Sequence, residues 1–324
     1  MITAHSLTVV LFAALALPFG ALAETSNNLA PTDVSNHAAQ NTSISISNTS
    51  ENAFCYTPSR SNTSFSTLLE SETDTPNSVI QYGEQDLQFA ELWLPPASFL
   101  NSSKGVPLVI FVHGGCWLNA YDIEHSHALS TGLSRSGYAV WSIEYRRTGD
   151  AGGGWPGSFD DVALAIRFGL NDLGKHSEMS QNIDFENVSL LGHSAGGHLG
   201  LLAAAEPDIR DRLKQAIGLA AIVDLKLYSQ DDNSCAAVTE QFMGASAQDE
   251  PEAYLAASLV GKNLPKNTIM MIGSEDTIVS AKQAQLIAYQ TAEIQGAGHF
   301  DFIDPHSWAF NALLKILGAT ESKP

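Results

Sequence analysis

Positive charge is scarce in this chain. Its 324 residues hold 16 Lys and Arg against 35 Asp and Glu, a net formal charge of -19 with His neutral. Phosphate backbones are bound by clustered Lys and Arg. No basic run is present, so nucleic acid is excluded as a partner, and the acidic surplus reads as a solubilising surface. Cysteine is almost absent, limited to Cys55, Cys116 and Cys235. An odd count leaves one thiol unpaired within the chain. Long apolar runs are also missing. Nothing after the N-terminus is apolar enough to span a bilayer.

What apolar run there is lies at Leu7–Ala16, too short for a stable anchor. Pro18, Gly20 and the small-x-small triplet Ala21-Leu22-Ala23 follow it. The pattern reads as a cleaved signal peptide over residues 1–23, although only the α-amine and His5 supply positive charge ahead of it. The mature chain is then expected to begin near Glu24 and to be exported, to a periplasm or outside the cell, with no stable membrane anchor. Export permits a disulfide. Cys116 falls in the loop assigned below to the oxyanion, where a bridge would be awkward, so if a disulfide forms Cys55–Cys235 is the expected pair, the alternative being three unpaired thiols.

With 44% hydrophobic residues the chain has enough apolar surface for a sizeable core. Residues 24–78 are expected to stay outside it. They are rich in Ser, Asn and Thr and read as largely disordered. Asn41, Asn48 and Asn62 open Asn-x-Ser/Thr sequons there.

Order is expected from Val79 onward, as one catalytic domain over 79–324. Short apolar runs at Leu87–Leu94, Pro107–Val112, Ala139–Ile143, Val188–Leu191, Ala216–Ala221, Thr268–Ile272 and Ala292–Ile294 read as strands. Helical patterns lie between them at His127–Ser136, Phe159–Leu173, His198–Ala205, Ser280–Tyr289 and Pro305–Leu317. Alternating strands and helices imply an α/β fold, a mostly parallel sheet with helices on both faces. The acidic stretch 225–262 breaks the rhythm. It reads equally as a cap insertion over the site or as a surface excursion.

Chemistry concentrates at loops that follow strands. Val188-Ser189-Leu190-Leu191 runs into Gly192-His193-Ser194-Ala195-Gly196 and then a helix. Gly-x-Ser-x-Gly in that context is a nucleophile elbow, and Ser194 is the expected nucleophile. The helix N-terminus behind it favours negative charge. Upstream, Leu108-Val109-Ile110-Phe111-Val112 ends in His113-Gly114-Gly115-Cys116-Trp117. Backbone N–H groups of Gly114, Gly115 or Cys116, together with that of Ala195, are the expected oxyanion donors. The sequence does not say which loop amides point inward. His113 reads as a residue that orders the loop.

A serine needs a base, and the base needs an orienting group. Asp276 follows the run Ile269–Ile272 and His299 follows Ala292–Ile294, in the order Ser, acid, His. They are the expected acid and base, with Glu275, Asp301 and Asp304 as weaker acids. His193, His198 and His306 have local structural readings. Asp122 with His125-x-His127 has the residue types of a metal site but reads as a helix start.

These motifs resemble the esterase/lipase branch of the α/β-hydrolase superfamily, over roughly Leu87 to Leu317. Within it the chain is similar to kynurenine formamidase-like (arylformamidase-like) hydrolases and small carboxylesterases. The resemblance is carried by His113-Gly114-Gly115-Cys116-Trp117, Glu144-Tyr145-Arg146, Gly153-Gly154-Trp155-Pro156-Gly157 leading into Asp160-Asp161-Val162, and Gly298-His299-Phe300-Asp301-Phe302. It implies a Ser194–His299–Asp276 triad, an acyl-enzyme, a small-molecule ester substrate and no metal or organic cofactor. Hydrolysis of an aryl formamide is the alternative, and an exported binding protein on the same fold is another.

Overall fold

The structure, a computed structural model, describes residues 43–46, 61–100, 105–176 and 178–318. The expected signal peptide and Cys55 lie outside them. Nine strands form one sheet: β1 (Ser43–Ile46), β2 (Ser78–Gln81), β3 (Phe89–Trp93), β4 (Val106–Val112), β5 (Ala139–Ile143), β6 (Ile183–His193), β7 (Gln215–Leu219), β8 (Thr268–Gly273) and β9 (Gln290–Ile294). Their order is β1-β9-β8-β7-β6-β4-β5-β3-β2. Neighbours are parallel from β1 through to β5, and β3 and β2 add antiparallel pairs at the far edge.

The β4 side chains show why its run is continuously apolar. Leu108, Ile110 and Val112 enter one core cluster, while Val109 and Phe111 enter the other. Alternate residues face opposite sides of a strand, so a sheet covered on both sides needs apolar residues at every position. Helices Gly157–Asn171 and Ser194–Ala203 cover the first side through Val162, Ile166 and Leu199. Helices His127–Arg135 and Trp308–Leu317 cover the second through Leu129, Leu133 and Leu313.

Three expectations are corrected. The stretch 24–78 contributes strand β1, which pairs with β9, the helix Phe65–Leu69 and Ser78, the first residue of β2. Order therefore reaches further toward the N-terminus than Val79. Second, Ser280–Tyr289 forms no α-helix but only a 3-10 turn at Ala284–Leu286. Its buried Gln283 accepts the N–H groups of Val223 and Asp224, each at 2.8 Å, and so ties the segment to the loop after β7. The stretch after β7, which the sequence leaves open between a cap and a surface excursion, turns back toward the loop after β4. Its helices Leu225–Tyr228 and Thr239–Met243 bring Tyr228 and Phe242 against Trp117 of the loop after β4, and helix Pro251–Ala257 follows them. The Phe242 ring stacks on that of Trp117. Third, this packing brings Cys235 to Cys116, Cα to Cα 5.1 Å, and these two form the disulfide instead of Cys55–Cys235.

Candidate active site

Parallel strands deliver their C-terminal loops to one edge of the sheet, where α/β proteins place their sites. Val112 of β4 is paired with Gly192 of β6, and Gly273 of β8 with Ile294 of β9. The loops carrying Gly114–Trp117, Ser194, Asp276 and His299 therefore leave from that edge.

Ser194 sits in the left-handed region, φ 54°, between extended His193 and the helix it begins. A non-glycine residue held there is strained, and such strain clusters at functional sites. The turn closes only because its glycines lack a Cβ. One at Gly196 would lie 2.1 Å from the His113 carbonyl oxygen, and one at Gly192 would lie 2.5 Å from the Gly196 oxygen. The elbow and the loop after β4 are thus in direct backbone contact. A Cβ at Gly114 would come within 3.1 Å of the Ser194 Cβ.

That loop continues left-handed through Gly115, Cys116 and Trp117, at φ 106°, 52° and 58°. Among the described residues, the Gly115 and Cys116 N–H groups donate to no partner. Ala195 stands in the first turn of its helix, where N–H groups lack intrahelical acceptors. Donors of this kind suit a developing oxyanion.

His113 orders the loop from behind. Its Nδ1 donates to the Gly114 oxygen at 2.8 Å, and its Nε2 lies 3.0 Å from Glu144 Oε1. Glu144 also accepts the N–H groups of Ile123 and Tyr145 and pairs with Arg147 at 3.2 Å. Burial alone would raise the Glu144 carboxyl. The charge and hydrogen bond of His113, then Arg147 and the Tyr145 N–H, outweigh it and hold the carboxyl below its ordinary value.

The expected acid and base meet. His299 Nδ1 lies 2.8 Å from Asp276 Oδ2, with both side chains almost fully buried. Asp276 Oδ1 accepts the N–H groups of Ile278 and Val279 at 2.8 and 2.9 Å, so its own turn fixes its orientation. The elbow reaches the base through His193. Its Nε2 donates to the His299 carbonyl oxygen at 2.9 Å, and the rings are 4.6 Å apart. Burial, then the nearby His299, pushes His193 well below the usual imidazole value, so it stays neutral.

The rival residues have other partners. Exposed Glu275 accepts from Asn62. Asp301 accepts the N–H groups of Gly298 and Thr63, and Asp304 accepts the Thr63 hydroxyl. His198 donates to the Ala257 oxygen at 2.7 Å. His127 pairs with Glu91, and Asp122 caps Glu124. Sequence reasoning missed Asn62, Thr63 and Phe65, which pack on the loops around the base. Phe65 lies against Tyr121 and Phe300. It is an aromatic signal in a polar stretch.

The profile of the BD-FAE family matches residues 94–290, more than half of the chain. Esterase LipC of Mycobacterium tuberculosis is 25% identical over 252 residues, covering 69% of this chain and 60% of LipC. The chain therefore spans less than two thirds of that relative. A kynurenine formamidase of Meyerozyma guilliermondii is 25% identical over 252 residues, covering 75% of this chain and 86% of its own length. Among solved structures, Esterase B from Lactobacillus rhamnosis superposes with a TM-score of 0.61 at 20% identity, over 78% of this chain and 89% of that one. A truncated carbohydrate esterase from gut microbiota gives 0.61 at 18% identity, over 76% and 96%. These two likenesses show the α/β-hydrolase fold. The chain belongs to the BD-FAE family of α/β-hydrolases.

Proposed function

We propose that the protein is a serine hydrolase that cleaves carboxylic esters through Ser194, His299 and Asp276. The observation that carries this reading is the buried 2.8 Å His299–Asp276 hydrogen bond, at the sheet edge that also presents Ser194 on a strained elbow. In this mechanism Ser194 Oγ attacks the acyl carbon as His299 Nε2 takes its proton. Asp276 keeps the His299 proton on Nδ1 and stabilises the imidazolium. The tetrahedral oxyanion forms against the Ala195 N–H and the amides of the Gly114–Cys116 loop. His299 returns the proton to the leaving alcohol, and water repeats the cycle on the acyl-enzyme.

Aryl formamide hydrolysis is a second reading, favoured by the formamidase among the relatives. The same groups would attack a formyl carbon and protonate an aniline nitrogen. Rates on p-nitrophenyl esters of increasing acyl length, set against N-formylkynurenine, decide between them. The ester reading expects turnover of short acyl esters at least tenfold above the formamide. The reverse ratio would replace it. We also place the protein outside the cytoplasm, on the Leu7–Ala23 sequence alone. Edman sequencing of the exported chain should then start near Glu24, and an intact Met1 would refute this.

A further inference from the structure

Three consecutive residues of the loop after β4 are left-handed: Gly115, Cys116 and Trp117. Glycine adopts that conformation freely. Cys116 and Trp117 do not, because a Cβ there crowds the following carbonyl oxygen. Something outside the loop must hold them. Both are gripped by the excursion between β7 and β8. The Trp117 ring stacks on Phe242, centroids 4.8 Å apart at 16°, and meets Tyr228 edge-on. Phe242 is itself fixed, since its carbonyl accepts the Trp155 N–H at 2.8 Å. Cys116 is bonded to Cys235, from 119 residues away in sequence.

We propose that Cys235 is a positioning residue for the oxyanion hole. Its bond to Cys116 keeps the Gly115–Cys116 amides in the left-handed turn beside Ser194. The inference rests on the serine hydrolase reading. Its competitor is a disulfide that only stabilises the fold by restricting the unfolded chain. The two differ over what residue 116 must be. A plain staple is indifferent to it. A positioning bond is needed only while residue 116 resists a positive φ.

The test compares two double variants, both assayed well below their melting temperatures. In Cys116→Ser/Cys235→Ser the bond is gone and residue 116 still disfavours the turn. Its kcat should fall about tenfold while KM stays within about twofold, the ratio that the left-handed penalty of one residue gives. In Cys116→Gly/Cys235→Ser the bond is equally gone, but glycine reaches the turn unaided. Its kcat should recover most of that loss, while its melting temperature stays as low as that of the serine pair. Equal kcat in the two variants would overturn the proposal. So would non-reducing peptide mapping of the native protein that finds the Cys116 and Cys235 peptides separate. Failure of the native protein to turn over esters counts against the proposed reaction instead. The rate at which a fluorophosphonate labels Ser194 then gives the same comparison.

Discussion

Asp276 divides its two carboxylate oxygens between structure and chemistry. Oδ1 is held by the N–H groups of Ile278 and Val279, and Oδ2 faces His299. Asp276→Asn would keep the first pair and replace the acceptor facing His299 Nδ1 with a donor. The imidazole would then carry its proton on Nε2, the wrong nitrogen for a base. The expected result is a fall in kcat of about 1,000- to 10,000-fold with KM within a few-fold, read from steady-state kinetics. Residues of this type were legible in the sequence. Ser194, Asp276 and His299 each follow a short apolar run, and parallel strands can only send such loops to one edge. The pairing of Cys116 was not legible, because connectivity is not encoded locally. It depends on where the excursion after β7 folds back.

Among elements, the N-terminal segment shows where composition misleads. Residues 61–69 hold few apolar side chains, and by composition they should not fold. They are ordered by partners far along the chain: Thr63 N–H to Asp301, Thr63 Oγ1 to Asp304 and Asn62 to Glu275. Asp301 also accepts the Gly298 N–H, so this segment and the loop of the base share one buried carboxylate. Long-range hydrogen bonds leave no periodic trace in a sequence. Thr63→Val removes the hydroxyl that meets Asp304 at 2.7 Å and leaves the volume almost unchanged. Unfolding in urea should show a loss of about 1–3 kcal/mol, with the midpoint lowered and the slope unchanged. The central strands were easier to read. The β4 run matched Val106–Val112 because burial on both faces demands unbroken hydrophobicity.

On the scale of the whole molecule, buried neutral histidines set the response to acid. His125 is lowered to about 3, by burial first and then by the charge of His113. His198 is lowered to about 4 by burial. His193 is lowered as well. Below the ordinary value of 6.5 the unfolded chain takes up protons that the folded chain refuses, so stability falls as pH falls. Each such group costs about 1.4 kcal/mol per pH unit between 6.5 and its folded value. The melting temperature should therefore drop steeply from pH 6.5 downward. His198→Gln can keep a donor toward the Ala257 oxygen without a titrating ring, so it should flatten the slope between pH 6.5 and 4 in thermal melts.

On the proposed reading, the features around Ser194 serve one end, a single activated hydroxyl at the sheet edge. Mass spectrometry after treatment with a fluorophosphonate tests that most directly. The account predicts one covalent adduct on the native protein, located to the Ser194 peptide and abolished in Ser194→Ala. A native protein that takes no label, or a Ser194→Ala variant labelled as fast as the native one, would contradict it.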